Sequence, residues 1–345
     1  MPGDSTLVTN ERARTVNIST PHIGYAAMLE RFHPTEAIEL AKVAEQQGFQ
    51  GVMAADHFQP WTPAQGQASF VWNVLSALGQ VTGGDLGTGV TTPTFRVHPA
   101  TTAQASATLA AMYPGRHWLG LGSGEALNEH IVGEYWPEAP ERINRMFEAV
   151  EVISKLFTGK EVRHAGPYFK LESSRLWTMP DVAPEILVAT AGPVTAKRAG
   201  RTVDGIITEN APLEQVAALL KRFDEGAREA GKGAKTKVLR LHLSWASTYQ
   251  EAVQNALTEW PNGGMRFGKS DIRSPFELEQ IARLVRPEDF EGRLLISEDP
   301  DAHRAQIQQF LDLGFDRIYL HNVGRTNQRE WLEVFGREVL PALRR

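Results

Sequence analysis

Two short polar segments contain most of the residues in this chain that could perform chemistry. The first, DHFQPW at 56–61, holds a carboxylate, an imidazole and an indole, and the second, GSGEALNE at 122–129, holds carboxylates in a glycine-rich setting. Each follows an apolar run that is typical of a buried strand, at 51–55 and at 117–121. Parallel α/β folds bind ligands beyond the carboxyl ends of their strands. The residue types therefore favour redox or acid/base chemistry on a small molecule.

The elements that must position these segments alternate along the chain. Amphipathic stretches with helix signals separate short apolar runs: Pro34 and Pro99 lie in first turns, and Gly48 follows the first helix where a left-handed cap is expected. Strands alternating with helices indicate a parallel sheet. The pattern predicts an α/β fold, a (β/α)8 TIM barrel, with strands at 23–27, 50–54, 86–90, 118–122, 186–189, 205–208, 238–244 and 317–321.

Composition narrows the class of protein. The chain has 345 residues, 42% hydrophobic and 22% charged, with a formal net charge of −5 and no cysteine. The absence of cysteine excludes disulfides and thiolate chemistry, and no metal-binding spacing or dinucleotide fingerprint occurs, so we expect no metal site. No long basic run or membrane-length apolar stretch occurs. We expect a cytoplasmic protein that acts on a small molecule and binds neither nucleic acid nor membranes.

We expect a single domain after a short leader. The segment 1–18 is polar and lacks the apolar core of a signal peptide, so 19–345 is expected to form the barrel domain. About 70 residues separate the predicted seventh and eighth strands, which is far more than a simple connection needs. This excess predicts an insertion on the rim near 246–314, and a second insertion is expected near 158–184.

Four motifs in the same order resemble those of the F420-dependent glucose-6-phosphate dehydrogenase family, a branch of the luciferase-like flavin and deazaflavin barrels. They are DHFQPW at 56–61, GTGVTTPTFR at 87–96, LGSGEALNE at 121–129 and AGP at 191–193. The similarity extends from about Ile23 to the C-terminus. The resemblance implies a luciferase-like barrel that uses coenzyme F420, a deazaflavin that accepts and donates hydride without activating oxygen.

The resemblance also implies four catalytic residues. His57 matches the family's catalytic histidine, the base for the alcohol proton, and an ordinary imidazole pKa near 6.5 suits that role. Trp61 matches a tryptophan beside the reacting carbon, and Glu125 matches the glutamate that serves the deazaflavin N1. Glu30 matches a second active-site glutamate after the first strand. The alternatives are a strand-end histidine, a core tryptophan and surface carboxylates.

The cofactor-binding positions follow from the same resemblance. Gly89-Val90 corresponds to the family's cis peptide, which would press Val90 against the ring. Asp56 is expected to contact the deazaflavin or to orient its neighbours. Small residues and backbone N–H groups suit an anionic cofactor, although ordinary turn geometry would explain the glycines equally well. The expected cofactor-binding residues are Asp56, Gly89, Val90, Thr92, Ser123, Glu125, Asn128, Thr190, Ala191 and Gly192.

The substrate site is predicted less completely. By resemblance, the family holds the substrate phosphate with two lysines and an arginine, and Lys269 and Arg293 match one lysine and the arginine. The other lysine falls near Glu209, which would repel a phosphate. Arg266 or Arg273, on either side of Lys269, could supply the third cation. Two matching cations favour a sugar phosphate, and the missing one permits another substrate.

The resemblance thus predicts an F420-dependent sugar-6-phosphate dehydrogenase. Its expected reaction is oxidation of the anomeric C1 hydroxyl, from glucose-6-phosphate to 6-phosphogluconolactone, by hydride transfer to the deazaflavin. One alternative is an F420-dependent dehydrogenase of secondary or other alcohols, and another is an FMN-dependent luciferase-like monooxygenase. A barrel that binds a cofactor without turnover is a fourth. By resemblance alone, we expect a homodimer.

Overall fold

The computed structural model describes residues 21–344, and the leader predicted at 1–18 lies outside them. Within this range the strands are β1 (His22–Ala27), β2 (Gly51–Ala54), β3 (Asp85–Thr88), β4 (His117–Leu121), β5 (Val162–Ala165), β6 (Lys170–Ser174), β7 (Ile186–Ala189), β8 (Gly205–Glu209), β9 (Thr236–Ser244), β10 (Leu295–Ile296) and β11 (Arg317–Asn322). Eight of them pair in parallel in the order β1-β2-β3-β4-β7-β8-β9-β11, and β11 pairs with β1 to close the sheet. The predicted TIM barrel is confirmed.

Helices alternate with these strands, and most of them cover the outside of the barrel. In the described part of the chain they are α1 (Pro34–Gln46), α2 (Val71–Val81), α3 (Pro99–Met112), α4 (Ala126–Glu129), α5 (Ala139–Leu156), α6 (Pro193–Thr202), α7 (Leu213–Glu229), α8 (Tyr249–Glu259), α9 (Pro275–Ala282), α10 (Pro300–Asp312) and α11 (Gln328–Val334). Local chemistry sets several ends: Gly48 has the expected positive φ of 97° after α1, and the Asp299 side chain accepts a hydrogen bond from the backbone N–H of Asp301 at 2.9 Å.

The interior of the barrel is filled by a layer of large side chains. The indole of Trp118 donates a hydrogen bond to the Tyr319 hydroxyl at 3.0 Å, which donates to Asp85 at 2.6 Å. Gly87 makes room for this layer, because a Cβ there would lie 1.9 Å from the Trp118 ring. Met53 and other apolar side chains complete the layer. It closes the barrel beneath the carboxyl ends of the strands.

Two segments add elements to the strand–helix alternation. The first carries the antiparallel hairpin of β5 and β6, which is anchored where Glu148 accepts hydrogen bonds from the backbone N–H of Phe169 at 2.8 Å and from His164 at 3.1 Å. The second lies between β9 and β11 and contains α8, α9, β10 and α10. Short β10 pairs with the carboxyl end of β9 through Leu295 and Leu243. None of the described helices is long and apolar enough to cross a membrane.

Candidate active site

A cavity of about 490 Å³ lies at the carboxyl ends of the barrel strands. Its floor is the interior layer, where Ile207, Val90 and Ala189 meet both the layer and the cavity. Gly192 is not among the lining residues and forms the N-cap of α6, and Glu30 lies behind His57. The other predicted site residues all line the cavity: Asp56, His57, Trp61, Gly89, Val90, Thr92, Ser123, Glu125, Asn128, Thr190, Ala191, Lys269 and Arg293.

His57 and Glu30 form a buried ion pair at the ends of neighbouring strands. Glu30 follows β1 and is 1% exposed, and its Oε1 contacts Nδ1 of His57, which follows β2. A carboxylate only accepts hydrogen bonds, so Nδ1 carries the hydrogen, and Nε2 of the neutral ring is an acceptor without a partner within residues 21–344. His57 therefore has the tautomer of a general base.

Electrostatics in this pair favour a charged imidazole. Burial lowers the pKa of His57, but the charge of Glu30, the hydrogen bond to it and the charge of Glu125 outweigh that effect and raise it. For Glu30 burial raises the pKa, and His57 reverses the effect so that the pKa lies below its usual value. Glu30 is thus placed to stabilise the imidazolium that forms when His57 accepts a proton.

The loop that carries His57 is held by a residue of α4, the short helix that follows β4. The side-chain oxygen of Asn128 accepts hydrogen bonds from the backbone N–H groups of Phe58 at 2.9 Å and Gln59 at 3.0 Å. Trp61 packs edge-on against the His57 ring, with centroids 5.5 Å apart and planes at 89°. Asn128, for which cofactor binding stays a prediction, therefore holds the loop that carries the imidazole.

Glu125 precedes α4 and faces the same cavity as His57. Its Oε2 is buried and, within residues 21–344, accepts no hydrogen bond. Burial raises the pKa of this carboxyl, against the opposing charge of His57. Such a group keeps its proton to a higher pH than a solvated carboxyl and can donate it to a bound molecule.

Asp56 is engaged by protein groups. Its carboxylate accepts a hydrogen bond from the Thr91 hydroxyl at 2.7 Å and lies 3.0 Å from Nη2 of Arg96. The same guanidinium lies 3.7 Å from Glu129, whose pKa burial raises to about 7 despite Arg96. The side chain of Asp56 is thus held by Thr91 and Arg96 while it also lines the cavity, so its contact with a cofactor stays a prediction.

Val90 occupies the position that the resemblance implies for a ring support. The Gly89–Val90 peptide bond is cis. A Cβ on Gly122 would lie 2.6 Å from Cγ2 of Val90, so glycine there lets the valine side chain lie against β4. The valine thereby presents its side chain to the floor of the cavity.

The two cations predicted to bind the substrate phosphate both line the cavity. Lys269 donates to the Asn262 carbonyl at 2.7 Å, and Arg293 donates to the Met265 carbonyl at 3.2 Å. Burial, together with Arg293, lowers the pKa of Lys269, although Glu209 and Glu125 oppose this. Arg266 and Arg273 are exposed and do not line the cavity, so neither replaces the missing lysine.

Four further residues form part of this site or lie beside it and were not predicted. Arg240 and His242 point inward from β9, and Trp260 stacks on His242 with centroids 4.8 Å apart. Nδ1 of His242 lies 2.6 Å from Nδ1 of His321, and its Nε2 lies 3.2 Å from Glu209. Arg240 and His242 could have been found from the sequence LRLHLS at 239–244, in which polar and apolar residues alternate. A barrel strand that is buried on both faces is usually apolar throughout, so the polar residues in it indicate a site.

Comparison with known proteins agrees with this geometry. A model of the luciferase-like monooxygenase family matches residues 14–317. An F420-dependent glucose-6-phosphate dehydrogenase of Microbacterium testaceum (strain StLB037) is 36% identical over 327 residues, which cover 93% of this chain and 97% of the relative. The chain belongs to this luciferase-like dehydrogenase family. An F420-dependent glucose-6-phosphate dehydrogenase of Nakamurella multipartita is 37% identical over 331 residues, with 93% and 96% covered.

A solved structure supports the assignment of this chain to the luciferase-like family. An F420-dependent secondary alcohol dehydrogenase in complex with an F420-acetone adduct superposes with a TM-score of 0.88 at 33% identity, covering 94% of this chain and all of that one. A coenzyme F420 dependent tetrahydromethanopterin reductase from Methanopyrus kandleri shares the fold, with a TM-score of 0.78 at 22% identity.

Proposed function

We propose that this protein is an F420-dependent sugar-6-phosphate dehydrogenase that oxidises the anomeric C1 hydroxyl of glucose-6-phosphate to 6-phosphogluconolactone. The observation that carries the proposal is the Glu30–His57 pair, because His57 lines a cavity that Glu125, Lys269 and Arg293 also line and its Nε2 has no partner within residues 21–344. The relatives at 36% and 37% identity are named for that activity, and their similarity extends over 93% of the chain.

The residues of the cavity fit a deazaflavin. The buried Oε2 of Glu125 has no partner within the described chain and can serve the polar edge of a ring. Val90, packed against Gly122, offers an apolar surface on which a flat ring system can lie. Ala191 and Gly192 precede the N-terminus of α6, where backbone N–H groups suit a phosphate. When bound, the deazaflavin supplies a ring carbon that accepts the hydride leaving C1.

The protein's own residues would then manage the proton and the geometry. Nε2 of neutral His57 accepts the hydroxyl proton as the C1–O bond becomes a carbonyl, and Glu30 stabilises the resulting imidazolium. Trp61, edge-on to the imidazole, restricts the space beside the reacting carbon. Glu125, with its raised pKa, holds a proton for the negative charge that arrives at the cofactor edge.

A second candidate is an F420-dependent secondary alcohol dehydrogenase. Glu209 favours it, because a carboxylate stands where a third phosphate-binding cation is expected. Lys269 and Arg293 favour the sugar phosphate, because each charge-assisted contact to a phosphate contributes about 1.5–3 kcal/mol. FMN-dependent monooxygenation is the weakest candidate, since the 36–37% relatives are named for F420.

The proposal is tested by measuring the visible absorbance of oxidised F420, which is lost when the deazaflavin is reduced. Purified protein is mixed with F420 and glucose-6-phosphate, with isopropanol, other sugar phosphates and FMN in parallel. The expected result is rapid bleaching with glucose-6-phosphate that His57→Ala abolishes and that His33→Ala, a change at an exposed histidine, leaves intact. Turnover of isopropanol alone would favour the second candidate. Absence of bleaching with every substrate would overturn both.

The oligomeric state and the cellular location are proposed from the family resemblance. The protein is proposed to form a homodimer and to act in the cytoplasm. Light scattering after size-exclusion chromatography tests the first, since a monomeric mass would contradict it. Cell fractionation with an antibody to the protein tests the second.

A further inference from the structure

Arg240 is a buried cation on the cavity wall that makes no ion-pair contact within residues 21–344. Two carboxylates lie within electrostatic range of it: burial raises the pKa of Glu30 and of Glu209, but their histidine partners and the charge of Arg240 lower it. Its side chain faces the barrel interior, because the neighbours Leu239 and Leu241 belong to the outer core. The residue is 8% exposed. Within residues 21–344 it forms no ion pair; its one hydrogen bond runs from Nη2 to Sδ of Met28 at 3.5 Å, and its buried Nε has no acceptor.

Other buried arginines of the described chain are engaged by carboxylates and carbonyls. Arg31 donates to two backbone carbonyls and lies 3.2 Å from Glu259. Arg142 donates to a backbone carbonyl and lies 3.2 Å from Asp271. A guanidinium withdrawn from water needs such acceptors, because desolvation is otherwise uncompensated. The vacant donors of Arg240 therefore indicate a ligand that supplies acceptor oxygens.

The position of Arg240 places those oxygens near the reacting end of the cavity. In the barrel register, Arg240 lies beside Tyr319 of the floor layer. Burial lowers the pKa of His57 and its carboxylate neighbours raise it, and Arg240 is close enough to lower it again. Lys269 and Arg293 are held elsewhere, by hydrogen bonds to the carbonyls of Asn262 and Met265 in the segment between α8 and α9. The cavity thus has two cationic positions, one beside His57 and one around Lys269.

We propose that Arg240 binds hydroxyl oxygens next to the reacting carbon of a sugar phosphate, while Lys269 and Arg293 bind the phosphate. This inference rests on the proposed function. The planar guanidinium presents parallel donors that can reach two neighbouring oxygens, which suits a vicinal diol. A simple secondary alcohol offers one oxygen. Arg240 is therefore a specificity-determining residue that favours polyhydroxylated substrates.

Calorimetric titration tests this directly, with and without F420. Glucose-6-phosphate, its 2-deoxy and 3-deoxy analogues, and glucose are titrated into the unaltered protein, Arg240→Met, Arg240→Lys and the control Arg337→Met, which alters an exposed ion pair. Arg240→Met is expected to weaken glucose-6-phosphate binding about 10- to 100-fold, as for the loss of a hydrogen bond to a charged group. Arg240→Lys should recover part of the affinity, and Arg337→Met should bind normally.

The analogues distinguish sugar from phosphate recognition. The unaltered protein should bind at least one deoxy analogue about tenfold more weakly than glucose-6-phosphate. Arg240→Met should bind that analogue and glucose-6-phosphate with equal affinity. The ratio of glucose-6-phosphate to glucose affinity should be the same in both proteins. The melting temperature of Arg240→Met should change little, because removal of a buried guanidinium whose Nε has no acceptor is offset by the loss of its positive charge near Glu30 and Glu209.

Three results would overturn the inference. Normal sugar-phosphate affinity in Arg240→Met would show that Arg240 contacts no substrate. A reduced glucose-6-phosphate to glucose ratio would make Arg240 a phosphate ligand. A melting temperature more than about 5 °C lower in both the Met and Lys variants would indicate a structural role. Failure of the proposed function would appear separately, as absence of F420 reduction by the unaltered protein, while the binding ratios are still measurable.

Discussion

Replacing Glu30 with glutamine tests the catalytic reasoning most directly. The change conserves volume at a 1% exposed position and removes the negative charge that contacts Nδ1 of His57. A glutamine side chain can donate a hydrogen bond as well as accept one. Donation to Nδ1 would place the imidazole hydrogen on Nε2, which is the wrong tautomer for accepting the substrate proton.

The size of the effect follows from two contributions. Loss of a charged hydrogen bond to the forming imidazolium costs about 1.5–3 kcal/mol, or about 10- to 100-fold in rate. The wrong tautomer also removes general-base catalysis, which contributes about 10²–10⁴-fold. We therefore expect kcat to fall by about 10²–10⁴-fold in Glu30→Gln. F420 affinity should be unchanged, because Glu30 is not among the residues lining the cavity.

The assay is F420 bleaching with glucose-6-phosphate across pH 5–10, with Glu39→Gln, a change in an exposed helix ion pair, as control. In the unaltered protein kcat/KM should rise with pH through the pKa of His57, which Glu30 holds above its ordinary value. In Glu30→Gln the residual activity should reach its plateau at lower pH. Equal kcat, or an unchanged pH profile, would refute the assigned pairing.

Stability should depend on pH in a matching way. A pKa raised in the folded state contributes stability that is fully present below the unfolded value, about 6.5, and is lost as the pH rises through the folded value. Glu30→Gln removes the cause of the raised His57 pKa. The melting-temperature difference between the two proteins should therefore be larger at pH 6 than at pH 9, and a constant difference would contradict this.

Three further substitutions test other parts of the site. Glu125→Gln removes a buried acid of raised pKa and should lower kcat about 10²-fold with F420 affinity retained; full activity in stopped-flow measurements would exclude a proton-donating role. Lys269→Met should raise KM for glucose-6-phosphate about 10- to 100-fold with kcat little changed, and an unaltered KM would remove it from the phosphate site. Arg96→Met leaves Asp56 and Glu129 without their cation and should lower the free energy of unfolding in urea by about 3–5 kcal/mol; a loss below about 1 kcal/mol would contradict their coupling.

Sequence reasoning located the barrel strands, because parallel strands are buried on both faces and appear as short apolar runs. It missed short β10 and the hairpin of β5 and β6, which have two to five residues each and little apolar patterning. The predicted strand 86–90 ends at Thr88 in the structure, and Thr91 forms only an isolated bridge with Leu121. Hydrophobicity was enough to predict that a strand is present. The residue at which a strand ends depends on where the chain leaves its hydrogen-bonded neighbours, which hydrophobicity does not specify.

The site was predictable only where a motif marked it. Glu30 and His57 were each matched to the family separately, but their contact depends on the adjacency of β1 and β2. Arg240 and His242 belong to no quoted motif, and their inward direction depends on the pleat of β9. The contact of His242 with His321 requires the register between β9 and β11, which no local pattern specifies.

The floor layer of Trp118, Tyr319 and Asp85 makes the cavity blind at one end. Hydride can pass directly between two molecules only when both are bound together, so both ligands have to enter and leave on the side of the strand carboxyl ends. A ligand that the other one covers has to arrive first and depart last, whereas two ligands that lie side by side can bind in either order. The barrel architecture thus ties the kinetic order of binding and release to the relative depth of the two ligands, which product-inhibition patterns measure.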